Sequence, residues 1–199
     1  KKIGLFILRA NGFVDNHFDF DREASANFWV DLMHDLTEKG YDYELLTSGH
    51  FGDEAFIDHL IRNHGVSLDK CVFNMNTPEK IIEKSSSYDA IVSCRLHPSI
   101  IAFALDVPSV GLVWNNKVRG FYDSVGYSDR VIGSDEITSS YVLSKIEQSM
   151  EEGIQKDKEY LCTIYNALFY SIQKILCGED SNIRPYSYDE ILKNMPVYT

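Results

Sequence analysis

The sequence predicts an α/β protein built on a doubly wound parallel sheet of about six strands, with helices on both faces and further helices at the C-terminus. Three observations predict it. Apolar runs rich in β-branched residues alternate with stretches of helical periodicity along most of the 199-residue chain. The runs KIGLFIL, DAIVSC and SVGLVW are apolar at consecutive positions, as strands covered on both faces are. The repeated order strand, helix, strand then calls for parallel pairing through right-handed crossovers.

The first strand, residues 2–8, is the run KIGLFIL, and the chain begins almost directly in it. That abrupt start is expected of a domain cut from a longer protein. A helix at 21–38 follows, then a strand at 41–47. The loop TSGHFGDEAF carries Gly49 and Gly52, and Asp53 is expected to cap a helix at 53–64. A strand at 71–74 and a helix at 78–86 end in the polar turn SSSY. DAIVSC makes a strand at 89–94, followed by a helix at 97–105. SVGLVW lies in a strand at 108–114, Lys117 and Arg119 open a helix at 117–125, and a last short strand falls at 130–133. Residues 1–135 therefore form the sheet domain. Residues 136–199 supply two helices, 138–152 and 156–177, and a tail expected to pack on it. In 156–177 the apolar stripe from Leu161 to Leu176 is expected to face this domain's own sheet, the alternative being a separate partner, and Gly178 ends the helix.

Composition removes several function classes. With 30 acidic against 19 basic residues the net charge is −11, so surface charge does not suit nucleic acid. Any bound anion needs a local basic site. Cys71, Cys94, Cys162 and Cys177 have no metal-type spacing and read as reduced thiols. No apolar run is long enough to span a bilayer. No G-x-G-x-x-G follows the first strand, and there is no Walker loop and no G-x-S-x-G elbow. The stretch DNHFDFD at 15–21 matches no metal loop and reads as a polar loop. His59 and His64, five apart, do not share one helix face, and no histidine is assigned to a metal.

Six such strands most often take the order 3-2-1-4-5-6, which makes strands 1 and 4 neighbours and opens a ligand crevice beyond their carboxyl ends. Strand 1 ends at Arg9 in FILRANG, and strand 4 ends at Arg95 in VSCRLH. His97 then stands at the start of the next helix, where free N–H groups and the helix dipole favour an anion. Two forked guanidinium donors, an imidazole and a helix terminus suit a compact carboxylate or phosphate. Lys117 either reaches the same crevice or belongs to a solvated cationic turn. Trp114, Phe121 and Tyr122 either stack on a sugar or pack in the core.

The stretch YDAIVSCRLHPSIIAFALDVPSVGLVWNNKVRGFYDSVG resembles the signature region of polysaccharide pyruvyl transferases. The features are an apolar strand, an Arg-Leu-His triplet, a small-residue helix, a Val-Pro turn into a strand and a lysine before an aromatic-bearing helix. LLTSGHFGDEAF and the arginine closing the first strand resemble the same enzymes. The resemblance implies the Rossmann-like, donor-binding C-terminal half of a GT-B-like enzyme whose N-terminal half lies outside this sequence. It implies transfer of pyruvate from phosphoenolpyruvate to a sugar as a ketal, in the making of bacterial cell-surface polysaccharide or exopolysaccharide. By motif position, Arg9, Arg95, Leu96 and His97 hold the donor. His97 is either the general acid or only a phosphate ligand, and the scheme requires no cofactor or metal. The partners implied are phosphoenolpyruvate, a carbohydrate acceptor, and the missing half or a second copy. The location implied is the cytoplasm, peripheral to the inner membrane. A nucleotide-sugar glycosyltransferase domain and a non-catalytic assembly module are the competing readings.

Overall fold

The computed structural model describes residues 1–9, 11–14, 20–178 and 182–194. Six parallel strands form one sheet in the order β3-β2-β1-β4-β5-β6, the order the sequence predicts. They are β1 (Lys2–Phe6), β2 (Asp42–Leu46), β3 (Cys71–Val72), β4 (Ala90–Ser93), β5 (Ser109–Leu112) and β6 (Val131–Ile132). The helices are α1 (Asn11–Val14), α2 (Arg22–Glu38), α3 (Phe51–His64), α4 (Pro78–Ser85), α5 (Leu96–Ala104), α6 (Asn116–Ser124), α7 (Ser139–Glu152), α8 (Lys158–Cys177) and α9 (Tyr188–Asn194). This is a Rossmann-like α/β arrangement.

Alternation along β1 distributes the core. Ile3, Leu5 and Ile7 join Trp29 and Leu32 of α2, Phe56 and Leu60 of α3, and Val142 and Ile146 of α7 in one buried cluster. Phe6 points the other way, into a cluster with Leu46, Met75, Tyr88, Ile91 and Ala102. The sheet is thus sandwiched between α2, α3 and α7 on one face and α4, α5 and α6 on the other. The strands are shorter than their apolar runs because burial continues beyond the paired residues. Leu8, for example, is 1% exposed although β1 ends at Phe6.

The chain divides into two compact units, residues 1–154 and 155–199. The sequence puts the boundary at 135/136, whereas the first unit takes in α7, whose Val142, Leu143 and Ile146 belong to the core. Within the second unit α8 carries the stripe seen in the sequence, and none of its residues is buried. Among the described residues no helix is long and apolar enough to cross a membrane. Residues 15–19 of DNHFDFD lie outside the described residues, while Asp21 caps α2 by accepting the N–H of Ala24. Of the four free cysteines only Cys94 is buried, and Cys177 is exposed.

Gly111 in β5 lets α6 sit close to the sheet. A Cβ there would meet Tyr122 Cε2 at 2.5 Å and Val118 Cγ1 at 2.9 Å. Tyr122 is itself fixed by a hydrogen bond between its hydroxyl and Ser109 Oγ (2.8 Å). Gly111→Ala is expected to destabilise the fold by about 1–3 kcal/mol through overpacking. The urea midpoint should fall with the slope unchanged, and an unaltered midpoint would contradict this account.

Candidate functional site

The register of β1 on β4 pairs Phe6 with Ser93, so Arg9 and Arg95 leave the carboxyl edge of neighbouring strands at the switch point of the sheet. Arg95 is the N-cap residue of α5 and has extended backbone (φ −98°, ψ 138°). Its backbone is held by small hydroxyls. Ser93 Oγ accepts from Arg95 N–H (3.0 Å) and donates to the Arg95 carbonyl (2.7 Å), and Ser99 Oγ also donates to that carbonyl (3.3 Å).

The side chain of Arg95 is held by Asp53. Its Nε donates to Asp53 Oδ2 (2.9 Å) and its Nη2 to Asp53 Oδ1 (2.8 Å). Asp53 is fully buried, and Oδ1 also accepts the backbone N–H of Arg9 (2.9 Å). One carboxylate therefore ties both arginine positions together, one by its backbone and one by its side chain. The fork uses the Nε/Nη2 edge of the guanidinium and leaves the Nη1/Nη2 edge, a second bidentate edge suited to carboxylate or phosphate. The Arg95 side chain is 20% exposed. The Trp114 ring lies under it, with Arg95 Cζ 5.6 Å from the ring centroid, and Trp114 Nε1 donates to the Cys94 carbonyl.

The stem of Arg9 passes over Gly52. A Cβ at position 52 would stand 3.1 Å from Arg9 Cδ, so glycine in the first turn of α3 makes room for the arginine stem. Asp53 is not the N-cap the sequence suggests. His50 caps α3, its Nδ1 accepting from Gly52 N–H (3.1 Å), and Asp53 lies in the first turn with its carboxylate committed to the arginines. His50 Nδ1 is 3.8 Å from Asp53 Oδ1.

Leu96 and His97 open α5, Leu96 half-buried and His97 exposed. Side chains cap α2, α3, α4, α6, α7 and α8, but none caps α5. The N–H groups of Leu96 and His97 thus begin a helix without a side-chain acceptor. Lys117 is exposed in the first turn of α6, its backbone N–H capped by Asn115 Oδ1 (3.0 Å). The structure joins Arg9 and Arg95 through Asp53. No described hydrogen bond or ion pair joins the His97 or Lys117 side chain to that group. Cys94, next to Arg95, is not a nucleophile, because burial and then the Asp53 charge push its thiol pKa up and keep it protonated.

Sequence reasoning missed Asp53 and His50 as parts of the site. The available signal was Gly52, a small residue where the helix start must admit another side chain. Of the aromatics weighed for sugar stacking, Trp114 braces Arg95, Tyr122 is 2% exposed, and Phe121 packs edge-on against Phe103 and Tyr122.

A doubly wound α/β domain with two arginines tied to one buried carboxylate at its switch point is what the fold and the site define. A family model narrows this. Polysaccharide pyruvyl transferase matches residues 8–116, more than half of the chain and a span that takes in Arg9, Asp53, Arg95 and His97. The chain belongs to the polysaccharide pyruvyl transferase family, a family of transferases. Comparison with curated proteins found no match.

Proposed function

We propose that this domain binds phosphoenolpyruvate and donates its pyruvyl group to a sugar as a ketal, in the assembly of a bacterial surface polysaccharide or exopolysaccharide. The observation that carries the reading is the free bidentate edge of Arg95 at the uncapped start of α5, with Arg9 on the neighbouring strand end. The donor offers a carboxylate and a phosphate, and two guanidinium groups suit one each. His97, in the first turn of α5, is the general acid in this reading. Its proton goes to the vinyl carbon, a sugar hydroxyl attacks the oxocarbenium-like carbon, and a second hydroxyl replaces phosphate. Leu96 supplies a backbone N–H to the donor, and Lys117 adds positive charge from α6. The exposed aromatic nearest this machinery in sequence is Phe51, 83% exposed at the start of α3, and we assign it to the acceptor sugar.

A nucleotide-sugar would call for an acidic residue near β2 to hold its ribose, and both acidic side chains there are committed elsewhere. Glu44 is engaged by Lys2, Lys84 and Tyr88, and Asp53 by Arg95. Calorimetry tests the choice. Phosphoenolpyruvate is expected to bind once per chain, and Arg9→Ala to weaken it about 10- to 100-fold, the range for losing one charge-assisted contact. Thermal stability should be unchanged in that variant. Binding of uridine diphosphate without any response to phosphoenolpyruvate would sink the proposal. In the enzyme with its acceptor, His97→Asn should abolish turnover while keeping donor affinity if the imidazole is the acid. Loss of both together makes it a phosphate ligand.

A further inference from the structure

The opposite end of α3 gathers a second set of polar side chains. His59 and His64 lie five residues apart, a spacing that on a regular helix turns them about 140° from each other. His64 is the last helical residue, however, and Gly65 follows it in the left-handed region (φ 70°), with its N–H on the Leu60 carbonyl. The two imidazoles meet there edge to face, centroids 5.2 Å apart. Nε2 of each ring is buried and has no hydrogen-bond partner among the described residues. Two imidazole nitrogens left so are costly unless something binds them. Glu23, in the first turn of α2, brings Oε1 to 4.0 Å from His64 Nε2. One donor atom from each of the three residues lies within 4.8 Å of the other two.

We propose that Glu23, His59 and His64 form a zinc site that fastens the first turn of α2 to the last turn of α3. Two imidazoles and one carboxylate, with a fourth position for water, are a zinc donor set, whereas magnesium and calcium favour oxygen ligands. Zinc bonds of about 2.0–2.2 Å place tetrahedral donors about 3.4 Å apart, so the group closes by about 1 Å on binding. The Glu23 side chain is 68% exposed and free to make that move. The supporting contact is also present, for the Asn63 side-chain amide lies 2.5 Å from His59 Nδ1. Half a turn of that amide presents Oδ1, which accepts a proton carried on Nδ1 and leaves Nε2 as the ligating lone pair. Burial, and then the Arg22 charge, oppose positive charge at His59, and the Glu23 carboxylate counters them only in part. His64 is about 16 Å along the helix from Asp53, so the ion stands apart from the donor site.

The test uses the whole chain, stripped with a chelator and with its thiols alkylated so that Cys177 does not compete. Zinc chloride titrated in a calorimeter should bind once per chain, and zinc should raise the melting temperature. Cobalt at the same site should give the intense visible bands of a tetrahedral ion. Glu23→Gln, His59→Gln and His64→Gln should each weaken binding by at least the ~10- to 100-fold that loss of a supporting partner costs, and Asn63→Ala by about that range. His34→Gln, in the exposed cluster of His34, Asp35 and Glu38, should change nothing. Should the histidine variants fail to fold, Glu23→Gln still decides, since its side chain lies outside the core. Wild-type affinity in Glu23→Gln, no binding to the wild type, or loss in His34→Gln alone would each overturn the site.

Discussion

Arg95→Ala is expected to lower the free energy of unfolding by about 3 kcal/mol and to weaken phosphoenolpyruvate binding about 100-fold or more, the second figure resting on the proposed donor role. The stability loss follows from Asp53. Its carboxylate is fully buried, and without the Arg95 fork its described hydrogen bond is the one from the Arg9 backbone N–H. A buried charge stripped of its partner costs far more than the pair contributed while intact. Loss of the contact with Trp114 adds up to about 1 kcal/mol. Asp53→Asn in the same chain removes the orphaned charge, and its neutral amide still accepts from Arg9. The double variant should therefore recover at least half of the stability while remaining unable to bind donor. Urea unfolding and calorimetry on the two variants separate the roles. If single and double variants are equally unstable, the buried charge is not the cause. If the double variant binds phosphoenolpyruvate normally, Arg95 is not a donor ligand.

A second large effect belongs to the amino-terminal edge of the sheet, away from the arginines. Burial raises the Glu44 pKa, but hydrogen bonds from Lys2 (2.7 Å), Lys84 and Tyr88 (2.6 Å) more than reverse this and bring it down to about 2. The Glu44 side chain is only 14% exposed, so solvent screens this group little. A carboxylate held below its unfolded value stabilises the native state above the unfolded pKa, and that stability is lost as pH falls through the folded pKa. A shift from 4.5 to about 2 is worth about 3 kcal/mol at neutral pH, with about 2 kcal/mol of it gone by pH 3. Unfolding free energies of the wild type and Glu44→Gln should therefore differ most at pH 6 and converge toward pH 2. A difference that stays constant from pH 6 to pH 3 would remove Glu44 as the cause.

Local patterning carried most of the fold. Consecutive apolar residues in KIGLFIL and DAIVSC announce strands covered on both sides, and crossover handedness with the usual doubly wound order then places β1 beside β4. Arg9 and Arg95 were legible for that reason, since each follows an apolar run directly. Asp53 was not, because its partner is 42 residues away and the pairing depends on α3 and α5 approaching over the same edge of the sheet. In sequence it looks like any acidic residue near a helix start. His59 and His64 were set aside on helix periodicity, which fails where α3 ends at Gly65. Glu23 comes from another helix, and no local pattern points to it. The two-residue strands β3 and β6 lie at the sheet edges, where less of the ladder remains to be paired than the apolar runs suggest.

The fork on Asp53 and the ring of Trp114 also determine when the disorder of the Arg95 side chain is given up. A free arginine side chain carries about 2 kcal/mol of rotamer entropy, which a ligand would otherwise have to remove on arrival. Here that ordering is completed as the chain folds, before any anion is present. In the donor role proposed above Arg95 needs no further ordering, and the 42-residue span between Asp53 and Arg95 makes its placement a property of the closed sheet rather than of either loop alone.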